Sequence, residues 1–270
     1  VTEAEVDAAR LRRRAILTAA AAAWAALAAI VAGILAANGG RFVYALDDPY
    51  IHMAIARNLA ATGTAGVVPG VYASASSSPL WVAILTPLAA HLPEGAFLAA
   101  PLVLNALFGT AAMAVLLRAA SRTWPAATTR WQAACALAAA AALPFAMLVP
   151  GLAAVGMEHG LHVLLGLVFA VLFLDAPASR RRAGLLAAAA AAAAAARPEG
   201  IFMAAVAAAA ALAAGRIAEA ALVAAGGGAP LLAYGLVNRF HGEDWLPNSV
   251  AAKSLVIPAA AQTGPPGLAE

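Results

Sequence analysis

Of the chain's 270 residues, 64% are hydrophobic and 11% are charged, and the mean hydropathy is +0.87. A soluble domain has roughly half apolar and about a quarter charged residues, so a water-soluble fold could not hide this much apolar surface and lipid must be the solvent for most of it. The net charge of +3 comes with arginines in short clusters and no dense basic patch, which argues against a nucleic-acid partner; the single Cys135 excludes an intrachain disulfide.

In chain order, residues 1–14 carry Arg10, Arg12, Arg13 and Arg14 and read as a cytoplasmic N-terminus. The apolar run 15–37 exceeds a signal-peptide core of about 7–15 residues and fits a spanning helix of about 20. A long loop, 38–79, follows. Within it, Asp48 as N-cap and Pro49 at the first helical position predict a helix over 48–60. Ile51, Ile55 and Leu59 fall on one stripe of it, as in a short amphipathic helix lying on the membrane surface. The run 80–92 reaches only about 20 Å against a hydrocarbon core of about 30 Å, and reads as a re-entrant or juxtamembrane helix.

Membrane-length runs continue at 96–118, 131–149, 157–174 and 217–237. Two shorter runs, 183–196 and 200–214, flank a break at 197–200 and count as crossings if they meet at a wet cavity, where broken backbone is tolerated. The alanines at 187–196 favour helix and close packing, and Gly226, Gly227 and Gly228 mark a kink or a packing site. If the first helix runs outward and 80–92 does not cross, Arg118, Arg122, Arg130, Arg180, Arg181, Arg182 and Arg216 all lie inside, as positive-inside sorting requires. The expected fold is therefore an all-α polytopic membrane protein with seven crossings, or eight if the short helix crosses. It has one module over 15–254, a first outer loop bearing a juxtamembrane helix, and an outer tail at 255–270.

That sorting puts the polar clusters on the outer face. Asp47 and Asp48 read either as a loop acid and a helix cap, or as a general-base or cation site. His52 falls one turn after Asp48; Arg57 suits either headgroups or a phosphate. Glu158 and His159 start a helix at the outer face, where Glu158 serves either ligand contacts or helix-start stabilisation. Arg197 and Glu199 straddle Pro198; charge at such depth is costly and points to function, with a mutual ion pair as the alternative. Asp47, Asp48, His52, Glu158 and His159 could also assemble ligands for a divalent ion, but no compact metal spacing exists and no obligatory metal is expected.

Six motifs occur in order: DDPYI at 47–51 with ARNLA at 56–60, SSSPLW at 76–81, GMEHGL at 156–161, ARPEG at 196–200 and LPNSVAAK at 246–253. Together they resemble the membrane-embedded GT-C glycosyltransferases, in particular bacterial members that look like arabinofuranosyl-, aminoarabinose and mannosyltransferases. The resemblance covers about 44–254. It implies transfer of a sugar from a polyprenyl-phosphate carrier to a glycan, lipid or protein acceptor on the outer face of a bacterial plasma membrane. It implies a loop carboxylate as base, best matched by Asp48 with Asp47 second. It also implies further helices beyond the last loop, so that the end at Glu270 reads as a truncation. Cations must hold the departing lipid phosphate, and Arg57, Arg197 and Lys253 are the candidates; Asn248 lies in the same last motif as Lys253. The rival readings are a polytopic transporter and a non-catalytic protein of the same fold. Transporters tend to show inverted repeats and to place ionisable groups at helix breaks; 197–200 is the one such break, while the acids sit in the long outer loop, which favours chemistry at the surface.

Overall fold

The computed structural model describes residues 3–122, 129–175, 179–245 and 248; Lys253 and the tail at 255–270 lie outside the described residues. Those described form ten helices and no strand: α1 (Glu3–Ala37), α2 (Asp48–Thr62), α3 (Pro79–His91), α4 (Glu94–Ala120), α5 (Arg130–Ala146), α6 (Val149–Val155), α7 (His159–Asp175), α8 (Arg180–Ala196), α9 (Gly200–Ala213) and α10 (Ile217–Phe240). Four stretches are long and apolar enough to cross a membrane: Asp7–Ala37, Glu94–Ala120, Arg130–Val155 and Ile217–Phe240. α3, α7 and α9 are apolar but shorter. Trp131, Leu174, Phe202, Val206 and Phe240 point outward from their helices, as in a membrane protein whose solvent is lipid.

Three helices meet around the alanine run. α10 packs against α8 and α9, with α7 closing the group. Ala189, Ala190, Ala193 and Ala194 are buried, and a side chain on Gly226 would strike the Ala187 backbone while one on Gly227 would strike Ala204. Small residues thus let the helix backbones approach closely, the means of helix association available in lipid. The glycine triplet is a packing site, since α10 runs unbroken through it.

α1 packs on α4, α5 and α6 around Ala15, Ala19, Ala23, Met113 and Leu117. The run expected at 131–149 extends to Val155 through a break. Pro150 cannot continue the α5 ladder, and Leu148 turns the chain in the left-handed region at φ 55° before α6 starts. Val149 then packs onto Gly109 of α4.

α2 and α3 lie together, with α3 also reaching α4 and α8. They close a core of Tyr44, Met53, Ala56, Trp81, Leu85, Phe97, Ala100, Leu161 and Ala196. Two expectations for α2 are corrected here. The cap position is Asp47, whose carbonyl accepts from the Tyr50 and Ile51 amides; Asp48 is the first helical residue and Pro49 the second. The buried face is Pro49, His52, Met53, Ile55 and Ala56, not the stripe of Ile51, Ile55 and Leu59. α2 therefore buries its face against protein, and that face includes a histidine.

At one end of the bundle, Arg182 donates from Nε to Leu172 O, from Nη2 to Phe173 O and from Nη1 to Glu219 across 2.7 Å. Arg216 also bonds Glu219. This buried clamp ties the end of α7 to the starts of α8 and α10. The loop ends 156–158 and 197–199 consequently fall at the opposite end, beside the start of α2.

Candidate functional site

The site is built on the turn between α6 and α7. Gly156 takes φ 76° with the Tyr44 ring packed on it, so any side chain there would be excluded on both counts. Tyr44 is held in turn by α4: its hydroxyl donates to Leu98 O at 2.8 Å and accepts from Leu102 N at 3.1 Å, inserting into the helical ladder. Burial pushes its phenol pKa well above the ordinary value, so it remains a neutral hydroxyl. Asn105 completes the cradle, accepting from Gly160 N at 2.9 Å and donating to Pro101 O at 2.9 Å. Together these contacts fix Glu158, which is fully buried.

Arg197 reaches Glu158 because Pro198 stops α8. The Arg197 amide closes the last turn onto Ala193 O, and α9 restarts at Gly200 against the Ala193–Ala194 backbone, where a side chain would not fit. From this break the guanidinium forks. Nη1 donates to Glu158 Oε1 at 2.7 Å and Nη2 to Glu199 Oε1 at 3.0 Å. The hydrogen bond from Arg197 holds the Glu199 carboxyl below its ordinary pKa, against the opposing effect of burial.

His52 lies on the far side of Glu158, its Nε2 at 3.7 Å from Oε2. Its Nδ1 is 3.1 Å from Ser76 Oγ, which also accepts from Ser78 N at 3.0 Å. Burial lowers the His52 pKa; the charges of Glu158 and Asp48 pull it up, and Arg197 pushes it down. The net effect favours a neutral imidazole. The serine segment is pinned from its other side by α10. Tyr234 donates to Ser76 O at 2.7 Å, Ser74 Oγ donates to the Tyr234 hydroxyl at 3.3 Å, and Asn248 N donates to Ser74 O at 2.8 Å.

Asp48 is exposed at the mouth, one turn before His52, and its charge bears on His52 and His159. Asp47 is exposed beside it. Five buried polar atoms of the Glu158 turn, α7 and the start of α3 meet no hydrogen-bond partner within the protein: Glu158 Oε2, His159 Nδ1, His162 Nδ1, Ser78 Oγ and Trp81 Nε1. Buried polar atoms are rarely left so, and each of these calls for a water, an ion, a ligand or a catalytic use.

The structure thus gathers Asp48, His52, Glu158, His159, Arg197 and Glu199 at one end of the bundle. Arg57 is elsewhere: it projects from α2 toward Glu94, at 3.5 Å, and over the Phe97 ring. Asn248 meets the serine segment at Ser74 and bonds Glu243, and is linked to His52 only through that segment. Among the described residues no three His, Cys, Asp or Glu are placed to share a metal ion. Reasoning from sequence held Ser76 and Ser78 only as part of the motif at 76–81, without a role, and passed over Asn105, His162 and Tyr234. A phenol among aliphatic neighbours in the last run was the available signal for Tyr234; nothing local distinguishes Ser76 from the serines around it. No family model matches the chain, and no curated protein or solved structure is similar to it.

Proposed function

We propose that the chain is a membrane-embedded glycosyltransferase of the GT-C kind, taking a sugar from a polyprenyl-phosphate donor. In this reading seven helices cross a bacterial plasma membrane, α2 and α3 lie at its outer interface, and the site faces outward. An acceptor hydroxyl attacks the anomeric carbon and forms the new glycosidic bond. The bond from that carbon to the phosphate oxygen breaks, the lipid phosphate leaves with the electron pair, and Asp48 takes the hydroxyl proton. General-base help of this kind contributes about 10²–10⁴-fold. Arg197, already oriented by two carboxylates, stabilises the leaving phosphate, while Glu158 and its neighbouring orphaned groups hold sugar hydroxyls.

The observation that carries the reading is the Arg197 fork on Glu158 and Glu199, with Glu158 Oε2 left unpartnered beside the helix that presents Asp48. Arg197 is already bonded to Glu158 and Glu199, so a bound phosphate calls for a second cation, and Lys253 is the candidate for that role. A transporter is the second reading, favoured by the buried Glu158–Arg197 pair at the α8–α9 break. The separating experiment supplies labelled polyprenyl-phosphate sugars to proteoliposomes carrying the chain. A new glycosidic product supports the transferase; movement of the sugar or its carrier without covalent change supports the transporter and overturns the first reading.

A further inference from the structure

Arg57 does not join the acid cluster, and what it does instead is independent of the transferase reading. It lines a cleft of about 610 Å³ between the ends of α2 and α3 and the start of α4, with Ala60, Ala61, Ala89, Leu92, Glu94 and Phe97 among its walls. That volume lies within the roughly 300–1,000 Å³ of small-molecule sites. The Arg57 guanidinium sits 5.1 Å from the Phe97 ring centroid, which orients it, while its contact with Glu94 is long at 3.5 Å and both side chains are substantially exposed. An exposed pair of this kind contributes little to stability, so it opens readily to a competing partner. Glu94 is also the first residue of a stretch long and apolar enough to cross a membrane. Where that span crosses a bilayer, the cleft lies at its end, the level at which hydrocarbon gives way to headgroups.

We propose that this cleft binds one phospholipid whose headgroup carries both a phosphate and a primary amine, that is, phosphatidylethanolamine. Arg57 takes the phosphate, Glu94 takes the ammonium, and the alanine methyls with Leu92 and Phe97 pack the glycerol and the roots of the acyl chains. Charge complementarity selects this occupant. A purely anionic headgroup would meet the Glu94 carboxylate, and a choline headgroup has no N–H to donate to it.

The test uses the full chain in detergent, with phosphatidylethanolamine, phosphatidylcholine and phosphatidylglycerol of identical acyl chains added in turn and bound lipid counted by native mass spectrometry. The wild type should retain phosphatidylethanolamine about three- to tenfold more strongly than either other lipid. E94Q should lose that preference and bind phosphatidylglycerol at least as well; R57Q should weaken both. Both side chains are exposed, and an unchanged melting temperature confirms that the variants fold. Equal retention of all three lipids by the wild type, or an unaltered preference in both folded variants, would overturn the proposal.

Discussion

Arg197 and Glu158 meet at 2.7 Å across the open end of the α7–α8 pair, 39 residues apart in the chain, and Glu158 has no exposure to solvent. Removing one partner of such a pair leaves a buried charge uncompensated, at a cost of about 3–5 kcal/mol. Arg197→Ala should therefore destabilise the folded chain by about that much, measured by denaturant unfolding in mixed micelles. Arg197→Lys should recover only part of the loss, since a single ammonium cannot bond both Glu158 and Glu199 through a planar fork. Full recovery by lysine would show that charge alone matters here.

The Arg182–Glu219 clamp is the matched control. It is buried and equally short, at 2.7 Å, but lies at the other end of the bundle. Glu219→Ala leaves the buried Arg182 guanidinium without a carboxylate and should cost about 3–5 kcal/mol, while the protein that remains folded keeps its specific activity. Loss of activity per folded molecule would mean that the two ends are coupled.

His52 makes stability depend on pH. Its folded pKa lies below the ordinary value of 6.5 because burial disfavours the charged ring. Between 6.5 and the lowered value the unfolded chain binds a proton that the folded chain does not, so stability falls as pH falls through that window. The slope reaches at most about 1.4 kcal/mol per pH unit. Stability curves for wild type and His52→Gln should run parallel above pH 6.5 and converge as pH falls below it, at no more than that rate; curves that stay parallel below pH 6.5 would contradict the assignment.

The difference between reading residues and seeing them assembled is clearest in α2. Hydropathy places a histidine on the polar side of a helix, and the repeat of Ile51, Ile55 and Leu59 follows from that rule. The helix is instead rotated so that His52 enters the core, because Ser76 supplies a partner from a segment that no helical period connects to it. The helix bounds themselves were legible because Pro49, Pro79 and Pro198 punctuate the chain and the apolar runs between them are long. Arg197, Glu158 and Glu199 were legible as candidates because charge in apolar surroundings is conspicuous. The roles of Tyr44 and Asn105 were not, since they depend on which turn of α4 faces the Gly156–Gly160 segment.

The glycine triplet gives a test of the packing. Gly226→Ala should cost about 1–3 kcal/mol, because the new methyl meets the Ala187 backbone, which cannot move aside without displacing α8. Gly228 has nothing near its missing side chain, so Gly228→Ala should be neutral or stabilise the helix by up to about 1 kcal/mol. Thermal unfolding of the two variants in the same detergent distinguishes them, and equal effects would contradict the close approach of α8 and α10.

The central claim is that Asp48 accepts the acceptor's proton during sugar transfer from a polyprenyl-phosphate donor. The direct measurement is the transfer rate in membranes at matched expression, wild type against Asp48→Asn, with folding of both checked by their melting temperatures. Asp48→Asn preserves the shape of the side chain but cannot take up the proton, so transfer should fall by about 10²–10⁴-fold while the fold is kept. Transfer at the wild-type rate by folded Asp48→Asn would contradict the account.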